Sequence, residues 1–280
     1  MILLIGIKED PTLNYFSQYL QKRNEKFYFL DQSELGIKIN VDTSTIYTSN
    51  MKLELKEITG IFNRVTGLNP NVTYPNYRYA QMSLLYHLIE SSDAKVANKL
   101  VPGSTNFSKP FQLNLISTKK LRIPRSYIVA NAYLPIFEEE VIYKSVSSER
   151  SIVQKLTSND LEKPVTAPVL FQAFIKGDNI RVHVVNDQVF PLKISTKSVD
   201  YRYAKGEINF DLIELPREIA QECISITKEC GLIFSGVDLI KSSKHNYYVL
   251  EVNPSPGYSY FEKEMSSEKI SEALLNYLNC

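Results

Sequence analysis

The residues best suited to chemistry lie in one stretch, GVDLIKSSKHNYYVLEVNPSPG at 236–257. Its two halves are rich in β-formers, and the Ser-Ser-Lys-His-Asn run between them is turn chemistry. A turn centred near Lys244 and His245 sets Asp238 opposite Glu251, Gly236 opposite Asn253, Val237 opposite Val252 and Leu239 opposite Leu250. Side chains alternate across a sheet, so Val237, Leu239, Leu250 and Val252 then share one face. Asp238, Glu251 and Asn253 share the other. Two carboxylates directly opposed repel each other. A hard divalent cation would compensate them, because Mg²⁺ takes carboxylate and amide oxygens and fills its remaining positions with phosphates and water. The alternative is a solvent-facing hairpin edge with two unrelated acids. Pro254-Ser255-Pro256-Gly257 ends the strand rigidly beside the acids, which suits a site loop better than an exposed edge.

Other polar residues stand in suggestive places. Lys109 opens a helix at Ser108-Lys109-Pro110, the end where the helix dipole disfavours a cation. That hints at an anionic partner, with a surface lysine as the ordinary reading. Lys144 lies within the apolar strand of VIYKSVSSER, and Arg150 follows a Ser-rich, glycine-free loop. A strand lysine faces solvent unless a phosphate is near. In FQAFIKGDNIRVHVV (171–185), Ile180, Val182 and Val184 share one face, and Arg181 and His183 the other. His183 taken alone reads as structural. The loop STKSVDYRYAKGEINF carries Lys197, Asp200, Arg202 and Lys205, a mixture typical of a solvated segment. The sequence offers no Ser-His-Asp or Cys-His set.

The elements that must position these residues follow from pattern. Ile2 to Ile7 is a continuous apolar run, as in a strand buried on both faces. Asp10-Pro11 starts a helix whose inward face is Leu13, Phe16 and Leu20. Phe27 to Leu30 and Ile58 to Val65 are strands, and Met82, Leu85, Tyr86 and Ile89 mark a helix. Gly6 stands alone, so no dinucleotide fingerprint is present. Pro102-Gly103 and the polar cluster after it form a connector. The helix at Lys109 ends before Pro124, and strands follow at Tyr127 to Ala130 and Val141 to Val146. The Lys-Gly-Asp-Asn and Asn186-Asp187 turns delimit three more strands. Pro216 to Cys230 is a helix, with Gly231 past its end and Ile219, Cys223, Ile226 and Cys230 at helical spacing. The two cysteines are therefore core fillers. Ile270, Leu274, Leu275 and Leu278 mark a closing amphipathic helix. Three domains are expected: an N-terminal α/β domain at 1–105, a central subdomain at 106–170 and a C-terminal subdomain at 171–280 that carries the site.

A formal net charge of +1 over 280 residues gives no support to a nucleic-acid or membrane surface. Three cysteines without a CxxC fit a reducing compartment. MILLIGI is too short for a signal-peptide core, and no apolar run approaches the ~20 residues of a membrane helix, so a cytoplasmic protein is expected.

The motifs GVDLI (236–240), VLEVNPSPG (249–257), FQAFIKGDNIRVHVV, VIYK (141–144) and STNFSKPFQ (104–112) together resemble the RimK-like branch of the ATP-grasp superfamily, over about residues 95–262. The resemblance implies an ATP-grasp fold of α+β subdomains behind an N-terminal α/β pre-ATP-grasp domain. By the family pattern Asp238, Glu251 and Asn253 hold Mg²⁺, or Mn²⁺ in its place. Lys144 and Lys109 contact ATP phosphates. Gln172, Ala173, Phe174 and Ile175 form the hinge that meets adenine, and Asn179 falls where relatives often place an aspartate to the ribose. Arg181 and Arg202 face phosphate and the acyl phosphate or substrate, with Lys144 as the third catalytic residue. The implied reaction is ADP-forming ligation of a small-molecule, amino-acid or peptide carboxylate to an amine or other nucleophile, in a monomer or homodimer. The alternative is a nucleotide-binding regulatory module without catalysis. A looser similarity, through Asp200-Tyr201-Arg202, is to enzymes that cross-link ribosomal peptides through side-chain esters or amides. The chain departs from the pattern in its glycine-free loop after Lys144, in Ala173 for an acidic hinge residue and in Ala204 for Asn.

Overall fold

The computed structural model describes residues 1–33, 37–48, 51–65, 75–99, 109–117, 121–130, 132–133, 137–146, 153–156, 167–196 and 208–280. The chain divides into two compact units, Met1–Leu100 with Gly257–Cys280, and Val101–Pro256. The first unit runs β1 (Ile2–Gly6), α1 (Pro11–Lys22), β2 (Phe27–Asp31), β3 (Lys38–Asn40), β4 (Thr45–Tyr47), β5 (Lys52–Glu54), β6 (Gly60–Asn63), α2 (Pro75–Glu90) and β7 (Lys95–Ala97). β2-β1-β6-β7 form a parallel sheet. Ile2, Leu3, Leu4 and Ile5 are all fully buried, as a strand covered on both faces requires. The Asp10 carboxylate accepts from the Thr12 and Leu13 N–H groups at 2.7 and 2.9 Å, with Pro11 in the first turn, and so starts α1. Its other oxygen accepts from Arg64 Nε at 2.9 Å. Leu85 and Ile89 of α2 are buried, whereas Tyr86 is exposed. The three-stranded antiparallel sheet β3-β4-β5 lies outside the sequence expectation, because strands this short carry no readable alternation.

The second unit runs α3 (Lys109–Ser117), β8 (Ser126–Val129), β9 (Val141–Ser145), β10 (Gln154–Lys155), β11 (Val169–Ala173), β12 (Gly177–Val185), β13 (Gln188–Ser195), β14 (Asn209–Leu212), α4 (Arg217–Glu229), β15 (Phe234–Ser242) and β16 (Tyr247–Asn253). Two antiparallel sheets result, β10-β9-β11-β8 and β14-β13-β12-β15-β16. The main core buries Ile180, Val182 and Val184 of β12, Val237 and Leu239 of β15, and Val249 and Val252 of β16. Cys223, Ile226 and Cys230 from the α4 segment complete that core, as do Ile116 of α3 and Leu121 after it. The helix that precedes the smaller sheet therefore packs on the larger one.

After β16 the chain rejoins the first unit through α5 (Ser259–Glu264) and α6 (Lys269–Leu278). The sequence expectation kept 257–280 with the C-terminal subdomain. The apolar face of α6, with Ile270, Leu274, Leu275 and Leu278 buried, is read correctly, but the surface that covers it belongs to the first unit. Gly60 marks the contact, since a Cβ there would lie 2.4 Å from the Leu278 carbonyl oxygen. Buried Glu262 caps α6, accepting from the Ile270 and Ser271 N–H groups at 2.5 and 3.0 Å and from the Ser271 hydroxyl at 2.6 Å. Tyr258 and Phe261 are buried in this unit and Tyr260 is exposed. Among the described residues, no helix is long and apolar enough to cross a membrane.

Candidate active site

The pairing of β15 with β16 sets Asp238 opposite Glu251, Val237 opposite Val252 and Gly236 opposite Asn253, as expected. Leu239 faces Val249, not Leu250. Two departures cancel. The turn is one residue tighter than expected: Lys241 pairs with Tyr247, the Ser242 N–H donates to Asn246 O, and His245 takes a positive φ of 59°. A bulge then inserts Leu250 as the extra residue and restores the register at the acids. Leu250 is thereby removed from the apolar face, where Leu239, Val249 and Val252 are buried, and lines a cleft beside Glu251.

β12 supplies what a hairpin alone lacks. Arg181 lies opposite Asp238 in the β12–β15 pair, and its Nη1 donates to Asp238 Oδ1 at 2.7 Å. Their side chains are 5% and 24% exposed. The guanidinium crosses Gly236, where a Cβ would stand 2.3 Å from Nη2, so the glycine makes room for the ion pair. A cation is thus not the sole compensation for the opposed acids. His183, two residues on, is fully buried, and burial together with the Arg181 charge holds its pKa well below the usual value. Both effects favour the neutral imidazole, consistent with the structural reading.

One cleft within this unit gathers most of the expected site. Its walls include Lys109, Lys144, Gln172, Ala173, Phe174, Ile175, Asn179, Asp238 and Glu251, with Ile142, Val153, Ile194, Ile240 and Leu250 as apolar surface. Its enclosed volume is about 90 Å³, and beyond that it opens to solvent. Lys109 and Lys144 are both nearly buried at 8% exposure, so neither is the solvent-facing lysine of the ordinary reading. Lys144 lies opposite Leu170, and Gln172 opposite Ile142, on one face of the smaller sheet. Phe174 carries the Lys155 ammonium 4.6 Å from its ring centroid. Asn253 ends β16 two residues past Glu251, and its Oδ1 accepts from the Ser255 N–H at 2.9 Å, which orients the amide. Asn253 and Arg181 are not part of the cleft wall. Arg202 and the Asp200-Tyr201-Arg202 triplet lie outside the described residues, as does Arg150.

Gln112 was not singled out from the sequence. Fully buried on α3, it spans the open edge of β16 with its amide: Nε2 donates to Val252 O at 2.5 Å, and the Val252 N–H donates to Oε1 at 3.1 Å. The amide replaces a neighbouring strand at the residue between Glu251 and Asn253. Just before it on the edge, the Val249 N–H donates to Arg122 O at 2.8 Å. Gln112 stands three residues after Lys109, on neighbouring positions of the helix surface, and that spacing is the one available signal.

Among the described residues, no three His, Cys, Asp or Glu side chains converge as a metal site. The donor set here is two opposed carboxylates and an oriented amide. Those are hard oxygen ligands too few to saturate a cation, which suits one that shares its shell with phosphates. The chemistry of the set fits Mg²⁺.

The profile of the RimK-like ATP-grasp domain matches residues 109–278. A probable alpha-L-glutamate ligase of Histophilus somni (strain 2336) is 33% identical over 132 residues, 44% of this chain and 40% of the relative. D-alanine–D-alanine ligase B of Clostridium perfringens (strain 13 / Type A) is 27% identical over 143 residues, 46% of this chain and 45% of that protein. The chain thus matches less than half the length of these curated relatives. Solved structures are similar over nearly all of it. The ATP-grasp ligase PsnB, complexed with a phosphomimetic variant of its minimal precursor, Mg and ADP, aligns with a TM-score of 0.80 at 24% identity over 99% of this chain and 98% of its own. Macrocyclase MdnC bound with precursor peptide MdnA from Microcystis aeruginosa MRC aligns with a TM-score of 0.80 at 18% identity over 99% of both chains.

Proposed function

The chain belongs to the RimK-like ATP-grasp family, and from that premise we propose that it is an ATP-dependent, ADP-forming ligase. A carboxylate oxygen of the substrate attacks the γ-phosphorus of ATP, and the bond to ADP breaks. The resulting acyl phosphate is opened by an amine or other nucleophile, and inorganic phosphate leaves. The observation that carries this reading is that one cleft joins two nearly buried lysines to two opposed carboxylates. Lysine ammonium groups suit phosphate oxygens, and opposed carboxylates suit a shared divalent cation.

Roles follow from position. Lys109 and Lys144 hold phosphate oxygens, and Ala173, Phe174 and Ile175 with the apolar wall take the base. Asp238, Glu251 and Asn253 would hold Mg²⁺, which when bound neutralises phosphate charge and aligns the transfer. Arg181 fixes the Asp238 carboxylate through their 2.7 Å hydrogen bond. In this reading it is first a positioning residue for the metal ligand. Catalysis here is positioning and charge neutralisation rather than covalent help from the protein.

For the substrate, a peptide carboxylate is favoured over a free small acid. Support comes from the whole-chain likeness to two ligases bound to precursor peptides. Phosphate and ADP release, measured with Mg-ATP across amino-acid and peptide carboxylates, tests the reaction. Stoichiometric ADP with one acceptor pair is the expected result. Mg-ATP binding without ADP release for any carboxylate would overturn it in favour of a non-catalytic nucleotide module.

A further inference from the structure

Glu251 and Asn253 stand where a strand is least well held. β16 is the last strand of its sheet among the described residues. The bulge at Leu250 interrupts its pairing just before Glu251, and the strand ends at Asn253. Two of the three residues expected at the metal therefore share a short stretch with a neighbouring strand on one side only. Mg²⁺ tolerates little error in such ligands, because it demands near-ideal octahedral geometry.

Gln112 supplies the missing side. Its amide spans both backbone groups of Val252, the residue between the two ligands, at 2.5 and 3.1 Å. The Val252 side chain is buried in the main core, so this backbone is held from the core face and from the edge. Attachment of α3 does not need the contact, since Ile116, one turn further along, and Leu121 already share that core with Val252. An apolar side chain at 112 would pack on the same sheet. It could not fix the strand along its axis, which directional hydrogen bonds do. On the same helix Lys109 precedes Gln112 by three residues, so the two are neighbours on one surface. Lys109 and Glu251 both line the cleft. One helix thus carries the lysine assigned to phosphate and the grip on the strand assigned to the metal.

Resting on the ligase reading above, we propose that Gln112 is a positioning residue for the metal site. It lies outside the cleft wall and acts through Val252. By holding that residue it sets the Glu251 carboxylate and the Asn253 amide relative to Lys109, so that cation and phosphates are received in one geometry. Groups that orient a ligand from behind are worth about 10–100-fold in metal affinity.

The test separates metal binding from nucleotide binding and from stability. ATP dissociation constants are measured without divalent cation and across a Mg²⁺ titration, for the wild-type chain, Gln112→Met, Gln112→Asn and Ile116→Ala. Unliganded melting checks that each variant folds. Gln112→Met is near-isosteric without the amide, and Gln112→Asn holds the amide one methylene short of Val252. Ile116→Ala loosens the same helix by removing core packing and leaves the amide in place. Both Gln112 variants should need about 10-fold or more Mg²⁺ for half-maximal tightening of ATP binding, with the affinity for metal-free ATP kept. Ile116→Ala should melt lower yet keep the wild-type Mg²⁺ requirement. An unchanged Mg²⁺ requirement in either Gln112 variant that folds overturns the inference. So does an equal rise in Ile116→Ala, which would make the effect a general loosening of the sheet edge. Gln112→Asn decides the matter if Gln112→Met does not fold. A wild type that binds ATP equally with and without Mg²⁺ overturns the metal assignment, and one that binds no ATP overturns the nucleotide reading, and either result takes this inference with it.

Discussion

Asp238→Asn and Glu251→Gln remove the same charge from opposed positions, yet opposite effects on the ligand-free protein are expected. Asp238 accepts from Arg181 at 2.7 Å, and that arginine is 5% exposed. Breaking a fully buried ion pair from one side costs about 3–5 kcal/mol. Asp238 is 24% exposed and Asn retains an acceptor oxygen, so about 2 kcal/mol is the reasonable share. Glu251 has no ion pair among the described residues and faces Asp238 across the strands. Opposed side chains stand ~5 Å apart, where like charges repel by roughly 3 kcal/mol at an effective dielectric constant near 20. Solvent and the Arg181 charge reduce this to about 1 kcal/mol at most. Glu251→Gln should therefore leave the ligand-free protein as stable or slightly more so, while Asp238→Asn lowers its melting temperature by roughly 4–8 °C. With Mg²⁺ and ATP at ~100 times the dissociation constant, wild type gains about 2.7 kcal/mol and both variants lose that gain. Equal ligand-free shifts of the same sign would refute the charge argument. A full Mg²⁺-dependent gain in either variant would refute the metal assignment.

Gln112→Leu strips the partners from both backbone groups of Val252 and should cost about 3 kcal/mol in denaturant unfolding, with weaker Mg²⁺-dependent protection by ATP. Burial pushes the Cys223 thiol up to about 12 and the Cys230 thiol up to about 11, while Cys280 is exposed. A chromogenic disulfide reagent should therefore titrate one thiol quickly in the native protein and all three in denaturant. Burial also raises the Glu262 carboxyl above the usual carboxylate range, against the opposing pull of the Ser271 and Ile270 hydrogen bonds. A raised acid favours the fold when protonated, and that contribution is lost as pH rises through the folded value. Glu262→Gln does not titrate, so its deficit relative to wild type in urea midpoints should be larger near pH 4.5 than near pH 8.

The parts legible in the sequence are those set by local pattern. The unbroken apolar run of β1, the Asp10 cap and the helical spacing of Cys223, Ile226 and Cys230 each depend on neighbours in the chain. So does the hairpin that opposes Asp238 to Glu251, although by cancellation. The turn is one residue shorter than the sequence suggests, and the bulge at Leu250 returns the residue. Leucine serves either face, so nothing in its type announces a bulge. What stayed hidden depends on which strands become neighbours. Arg181 and Gly236 stand 55 positions apart, yet the arginine reaches Asp238 only because the glycine leaves space in the next strand. The periodicity of α6 shows an apolar face but not the sheet that covers it. This hidden contact alters the chemistry read from the hairpin. With Asp238 already paired to Arg181, Glu251 is the carboxylate of the two that has no ion pair among the described residues. The need for a cation therefore concentrates on Glu251, and Gln112 grips the backbone of the next residue, Val252.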